Sequence, residues 1–485
     1  MKPDRRLWLA AGVLLLVAAW YAVHLDRAGF WLDEVGSVMA VEQGYQAMLA
    51  NRMDAGHGPV YFSVLWAVQR LAGTSELVLR LPALLFGLGS VVLLYLLLAP
   101  RAGRAVAMLA ALLLLVNPVQ VYMAMLARPY TMASFLCLLL SWRLLRAQEG
   151  WGPRDGPVIA VLGLLCIGTH YSTVFVLLGM ALYLASARPR QWRSLAALGV
   201  GVLLYAPWVL AFLAMKTEPL EQIAWWSPPS VMDVLALPVR LAGLAVREVE
   251  PGSAIAIARV AAALGLVALA IRGARRLGWL GRFWVFLWAM PPAFMLLLML
   301  AGVWGNPFIV HHYFSVPIIA QSTLVAAGAL GLGRSRAVRA LLPTLLVVLL
   351  LGVVAALLHT WPYPDWRAVV RHLQSGPVAE CRVTVVHKQF LAAEYHLGRS
   401  DIAFDRIPLE FGRLNADDIA RAARDARPRT PLGPPVRRCL LIPAYLEERL
   451  GLPPEEIPER LLGAGYRAAA REEVGRVVVI LADAP

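Results

Sequence analysis

Charge is scarce in this chain. Asp, Glu, Lys and Arg make up only 16% of its 485 residues, where a soluble protein carries about a quarter. An ordinary water-soluble globule is therefore excluded. Cysteine is also sparse, at four residues, and no Cys or His spacing fits a metal-binding pattern. No Gly-rich phosphate loop is evident, so no nucleotide cofactor is expected. Internal repeats and broken mid-membrane helices are missing too, which weighs against a transporter or lipid flippase. Acidic residues are fewer than basic ones, leaving a net charge of +14. That excess does not predict a nucleic-acid partner, because the arginines sit beside apolar runs at regular intervals. Inward-facing loops of membrane proteins collect Lys and Arg in this way.

Apolar residues are abundant, at 59% of the chain, and they cluster. Ala11–Trp20, Leu84–Leu98, Met108–Val116 and Leu341–Leu358 carry no charge. A bilayer core needs roughly 20 such residues per helix. The N-terminal stretch, Lys2, Arg5 and Arg6 followed by Leu7–Val23, lacks a clear cleavage site and reads as a retained first helix. Basic clusters then recur near 101–104, 143–154, 188–193, 272–282 and 334–339. If all are cytoplasmic, spans fall in pairs between them. The expected spans are 77–99, 104–118, 129–147, two short helices within 157–186, 193–213, 253–271, 281–303, 310–332 and 338–358. With the first helix the total is about eleven. Gly58–Ala72 is apolar but short and is expected to lie at the outer surface; residues 232–249 raise the same ambiguity.

Composition changes near residue 360, where long apolar runs stop and Arg, Glu, Asp and Pro rise. Arg382–His387, Arg438–Pro443 and Arg476–Leu481 read as strands, and Phe390–Leu397 reads as a helix. The expected organisation is a transmembrane domain over 1–360, with a first outer loop over 25–76, and a small extracytoplasmic α/β domain over 361–485. Cys137 and Cys166 lie in apolar runs and read as packing residues. Cys381 and Cys439 could pair if their region is extracytoplasmic, or could be two free core cysteines.

The charge map collects polar residues on one side: Asp33, Glu34, His57, Arg128, Tyr130, His170, Tyr171, His311, His312 and Tyr313. Ionisable groups at membrane depth are costly and usually functional. Asp33 and Glu34 follow interface-loving aromatics, Phe30 and Trp31. A carboxylate there can take a proton from an attacking hydroxyl or hold a divalent cation; it can equally cap a helix. Arg128 suits a phosphate through its planar fork, or it can snorkel to the interface. The His-containing dyads could contact substrate or serve as hydrogen-bonded structural residues.

The order of the motifs resembles a known family. Trp31-Leu32-Asp33-Glu34 is similar to the W-x-D-E loop of glycosyltransferases that use polyprenyl-phosphate sugars, such as protein O-mannosyltransferases and the lipid A aminoarabinose transferase. His57-Gly58-Pro59-Val60-Tyr61-Phe62 resembles their H-P-P-L-Y-Y string. Ser75-Glu76, Arg80-Leu81-Pro82-Ala83-Leu84 and Phe86-Gly87 resemble S-E…R-L-P-S-x-x-F-G. Asn117-Pro118 with Ala127-Arg128-Pro129-Tyr130 resembles S-P…E-A-R-x-Y. Thr169-His170-Tyr171 resembles a T-H-Y turn, and Pro364-Asp365-Trp366-Arg367 the P-D-W-R string that opens the extracytoplasmic domain of bacterial members. Three positions depart: Gly58 replaces a proline, Leu126 stands where Glu is frequent, and His311-His312-Tyr313 replaces R-Y.

The resemblance implies the type C membrane glycosyltransferase fold and a polyprenyl-phosphate-linked sugar donor used on the outer face of a plasma (bacterial inner) membrane. The acceptor would be a protein, a lipid or a glycan. It also implies Asp33 as general base, with Glu34 beside it. His57, Tyr61, Arg128, Tyr130, His170, Tyr171, His312 and Tyr313 are the expected substrate contacts. A divalent cation is left open. The rival reading is a non-catalytic envelope-assembly scaffold.

Overall fold

A computed structural model of the chain describes residues 5–187, 189, 191–215, 234–235, 237–243, 254–301, 311–332, 336–359, 364–375, 381–387, 390–409, 436–447, 450, 452–463 and 465–485; within these, some side chains, those of His311 and His312 among them, are not described. The described chain is mostly helical, with one small sheet near the C-terminus. It divides into two compact units. The first comprises Met1–Leu25, Ala40–Ala224 and Pro228–His359; the second joins Asp26–Met39 and Trp225–Ser227 to Thr360–Pro485.

In the first unit, the longest helix, Glu76–Ala102, has 27 residues. Its start is set locally: Ser75 Oγ accepts the Val78 N–H at 3.4 Å, and Glu76 sits in the first turn. Both features suit the positive end of a helix. The outgoing helix Arg104–Leu115 does not run straight on. Asn117 Oδ1 accepts the N–H groups of Val119 and Gln120 at 3.0 and 3.2 Å, and Pro118 starts a second helix, Pro118–Ala124. This Asn-Pro cap bends the pair by 61°. The helix Tyr130–Glu149 then returns against Glu76–Ala102. Thr131 Oγ1 donates to Ala83 O at 2.8 Å at one end, and Arg101 grips Glu149 with two bonds of 2.7 and 2.9 Å at the other. Arg143 pairs at 2.7 Å with the buried Asp155, which opens the next helix.

The long apolar stretch after Asp155 divides as its length suggests, into Asp155–Thr169 and Thr173–Ser186, with His170 in the turn. Cys137 and Cys166 are buried free thiols 3.7 Å apart on neighbouring helices. Pro59–Ala72 is a helix of 14 residues; at about 1.5 Å per residue it is too short to cross a core of about 30 Å. Of the region 232–249, the helix Leu237–Leu241 is described; most of the remainder lies outside the described residues.

Among the described residues three helices are long and apolar enough to span a membrane: Glu76–Ala102, Trp192–Met215 and Trp279–Leu300. The bent pair at Asn117 raises this to four. Shorter apolar helices, Asp155–Thr169, Thr173–Ser186, Ser315–Ala329 and Leu341–Ala355, stand beside them, so the strict test does not establish the expected count of eleven. The long helices expose large apolar side chains, with Leu85 at 59%, Leu203 at 70% and Leu300 at 72%. Such exposure is unfavourable in water and is expected against lipid. The chain is an integral membrane protein.

The second unit holds a five-stranded sheet in the order β2-β1-β3-β5-β4. Its strands are β1 (Arg382–His387), β2 (Phe404–Pro408), β3 (Arg438–Pro443), β4 (Arg467–Val474) and β5 (Val477–Asp483). β1 runs parallel to β2 and β3, and β5 antiparallel to β3. β3 is buried along its whole length, as its central place in the sheet implies. Cys381 and Cys439 form a disulfide. The fully buried Arg438 donates to Asp405 Oδ2 at 2.6 Å and to Thr384 Oγ1 at 3.0 Å. Burial of a guanidinium is tolerated only with such partners. The β4–β5 hairpin turns on Gly475 and Arg476 with φ of 55° and 60°, the left-handed pair that a two-residue hairpin requires.

Candidate active site

The first unit brings seven of the expected residues into one cluster. Arg128 is 6% exposed and lies beside Tyr130: its Nε is 3.4 Å from the phenol oxygen, and its guanidinium carbon stands 5.7 Å from the ring centre. The tight turn that carries it, with Arg128 N–H on Leu126 O at 2.7 Å, is followed at once by the helix starting at Tyr130. The Tyr130 ring meets His170 edge-on at 5.4 Å. His170 stacks on Tyr171 at 4.5 Å and lies 5.7 Å from Tyr313. The hydroxyls of Tyr171 and Tyr313 share a 2.5 Å hydrogen bond. Tyr171 stacks in turn on His57 at 6.4 Å, and His57 lies 5.6 Å from Phe62. Arg52 lies over the Phe62 ring at 5.1 Å, and Tyr61 packs edge-on against Phe62 at 5.4 Å.

Two glycines allow the motifs to meet. A Cβ on Gly58 would overlap the carbonyl of Gly168, and a Cβ on Gly168 would come within 2.8 Å of Val60. The His57 loop thus rests directly on the backbone that leads into His170. Gly58 is the departure from the H-P-P pattern, and here a side chain of any kind would be excluded.

The field of the cluster is positive. Burial, reinforced by Arg128, pushes the His170 imidazole down to about 3. Burial and then Arg128 hold His57 well below the ordinary histidine range. Burial also lowers Arg52 to about 10, again with Arg128 contributing. Both histidines are therefore neutral near pH 7 while Arg128 carries the charge. His170 Nδ1 lies 2.7 Å from Ser172 Oγ, which fixes the ring. Neutral imidazoles and phenols around a buried guanidinium can donate to an anion without adding their own desolvation cost.

Asp33 and Glu34 open the helix Leu32–Glu42 in the second unit. Glu34 is fully buried, and its Oε2 accepts the Trp31 N–H at 3.3 Å. That is the back-bond of a capping box. Asp33 is only partly buried, and its carbonyl accepts the Ser37 hydroxyl at 3.1 Å. The side chain of His312 lies outside the described residues. Among those described, no group of three His, Cys, Asp or Glu could hold a metal. Sequence reading missed Arg52 and Ser172. The first stands in a polar helix with no motif, and the second follows Thr169-His170-Tyr171 directly.

Residues 56–214 match the family of dolichyl-phosphate-mannose-protein mannosyltransferases. The resemblance to lipid-phosphate-sugar glycosyltransferases is thereby shown over that segment. His57, Tyr61, Arg128, Tyr130, His170 and Tyr171 fall inside the mannosyltransferase match; Asp33, Glu34, His312 and Tyr313 fall outside it. Solved structures similar to the chain include ArnT from Cupriavidus metallidurans bound to undecaprenyl phosphate, at 14% identity and TM-score 0.42, covering 98% of this chain and 97% of that one. Another is the oligosaccharyltransferase AglB from Archaeoglobus fulgidus with an inhibitory peptide and a dolichol-phosphate, at 11% identity and TM-score 0.47, covering 81% and 64%. No curated protein matches the chain.

Proposed function

We propose that the chain is a membrane glycosyltransferase. It takes a sugar from a polyprenyl-phosphate donor and passes it to an acceptor hydroxyl on the outer face of a plasma (bacterial inner) membrane. The observation that carries this reading is the buried Arg128 beside Tyr130, from which His170, Tyr171 and His57 follow in a chain of ring contacts, all five lying within the family match. A family defined by dolichyl-phosphate-mannose needs a place for a lipid phosphate, and this cluster has the charge and donors for one.

Asp33 is the proposed general base. The acceptor oxygen forms a bond to the anomeric carbon as its proton passes to the Asp33 carboxylate. The bond from that carbon to the phosphate oxygen breaks, and its electron pair leaves with the polyprenyl phosphate. Displacement from a β-linked phosphate inverts the centre. The leaving phosphate gains negative charge, which a fixed guanidinium stabilises most strongly in the transition state. Glu34 serves as the cap that holds the Asp33 helix.

The test uses membranes from cells expressing the full chain, supplied with a panel of polyprenyl-phosphate hexoses and pentoses. Release of polyprenyl phosphate is the readout. Asp33→Asn should lower release by about a hundredfold or more, the range of a lost general base, with expression unchanged. Near-normal release in that variant removes Asp33 from the role. A wild-type chain inert towards every donor overturns the glycosyltransferase reading.

A further inference from the structure

The described part of the second unit contains a set of contacts that the reaction scheme above does not use. Three residues from the start of its C-terminal region hold the segment that leads into the Asp33 helix. Arg367 Nη1 donates to Asp26 Oδ1 at 2.7 Å, and its Nη2 donates to Asp26 O at 2.5 Å. Asp365 Oδ1 accepts the Gly29 N–H at 2.9 Å. His396 Nε2 donates to Phe30 O at 2.9 Å. The Phe30 ring packs edge-on against Tyr395 at 6.2 Å, and a Cβ on Gly36 would stand 3.9 Å from Leu391. The Asp33 helix therefore lies along the helix Leu391–Gly398 from its lead-in to its middle.

The fit leaves no slack. A Cβ on Gly29 would stand 2.9 Å from His396 Cε1, 3.0 Å from Arg367 Cβ and 3.2 Å from Asp365 Oδ1. Asp365 is itself fixed by the sheet: its own N–H donates to Gly475 O at 2.7 Å, in the β4–β5 turn. It also caps the helix Trp366–Ser375, accepting the Ala368 N–H at 3.3 Å. A Cβ on Gly475 would meet Asp365 at 2.9 Å. A rigid hairpin thus anchors the carboxylate that anchors Gly29, four residues before Asp33.

We propose that Asp365, Arg367 and His396 are positioning residues that fix the Asp33 carboxylate for proton transfer, so that the C-terminal domain sets the rate of transfer and not donor affinity. This rests on Asp33 being the base. A displacement of about 1 Å in a reacting group can cost about a hundredfold in rate. Each of the three contacts reaches the segment between Asp26 and Phe30, whose backbone sets where the helix begins.

The experiment uses the full chain in membranes. Arg367→Ala/His396→Ala and Gly29→Ala should each lower kcat for polyprenyl-phosphate release by at least tenfold and leave the donor KM within about twofold. Asp365→Asn keeps the accepting oxygen and should retain most activity, whereas Asp365→Leu should not. Hydrogen–deuterium exchange of the purified variants gives a readout independent of turnover. Amides of residues 29–36 should exchange faster while β1, β3 and β5 stay protected. Unchanged kcat in both the double variant and Gly29→Ala overturns the proposal, as does unchanged exchange over 29–36. If the double variant loosens the whole sheet, Gly29→Ala, which substitutes no residue of the C-terminal domain, decides. Asp33→Asn is measured alongside: if it stays active the base assignment fails, and the exchange data still judge whether the three residues hold the segment.

Discussion

The cluster in the first unit joins four short stretches of chain, around His57, Arg128, His170 and Tyr313, through ring contacts and one hydroxyl pair, and each of the first three also has contacts of its own. Arg128 pairs with Tyr130, His170 with Tyr171 and Ser172, and His57 with Phe62. The Asp33 segment of the second unit is held by partners 336 to 366 residues away. The first is a mutual packing of rings around one guanidinium, where each member excludes water from the next. The second is a set of separate polar contacts to one stretch of backbone. Loss of a member should therefore act differently in the two regions. In the cluster it should change anion affinity and local electrostatics together. In the clamp it should change geometry alone.

The largest expected effect that separates them is at Arg128. Arg128→Ala removes the central charge of the cluster, and truncating one side of a buried charge pair costs about 3 kcal/mol or more. Affinity for polyprenyl phosphate, followed by native mass spectrometry, should fall roughly a hundredfold. The clamp variants should bind it normally. Equal binding by Arg128→Ala and wild type would remove the phosphate role from the cluster and erase the contrast.

A smaller effect is expected where packing alone is altered. Gly58→Ala forces a methyl against the Gly168 backbone, and overpacking of this kind costs about 1–3 kcal/mol. Thermal stability in detergent and phosphate affinity should both drop, since His57 and the turn into His170 must separate. Gly199→Ala is the control. No atom lies within 4 Å of its added carbon, and it sits inside the helix Trp192–Leu203, so it should gain up to about 1 kcal/mol. Equal behaviour of the two variants would show that the Gly58–Gly168 contact carries no weight.

Legibility followed the same division. The string Thr169-His170-Tyr171 and the apolar runs around it announced two helices and a turn, and the turn is where His170 lies. The strands Arg382–His387 and Arg438–Pro443 were visible from β-branched and aliphatic runs. β4 was not, because Arg467–Val474 is exposed along most of its length and reads as polar chain. Its pairing with β5 is supplied by the neighbour and not by its own pattern. Nor could the sequence reveal that Asp365 reaches Gly29. Pro364-Asp365-Trp366-Arg367 resembled a family string, but a hydrogen bond between distant residues leaves no local trace. The shape of a span is hidden for a related reason. Hydropathy reports how apolar a run is, and not that Asn117-Pro118 will bend it.

The smallest effect concerns pH and again sets the cluster apart. His170 is 2% exposed, and burial with Arg128 holds its imidazole near 3, against about 6.5 when unfolded. The folded state therefore binds fewer protons than the unfolded state below pH 6.5. Stability rises with pH wherever the unfolded state holds more protons. The contribution of a neutral His170 is thus present above about pH 6.5 and is lost as pH falls below it. The slope is at most about 1.4 kcal/mol per pH unit for one histidine. His57, lowered for the same reasons, adds in the same direction. Thermal melts of the detergent-solubilised chain between pH 7.5 and 5.0 should show the midpoint dropping on the acid side. His170→Asn keeps an acceptor for the Ser172 hydroxyl and loses the titration, so its acid-side slope should be shallower whatever its absolute stability. Bound polyprenyl phosphate should flatten the wild-type slope as well, because an anion beside Arg128 offsets the field that keeps His170 neutral. A slope identical in wild type, His170→Asn and the phosphate-bound protein would mean that the acid sensitivity arises outside the cluster.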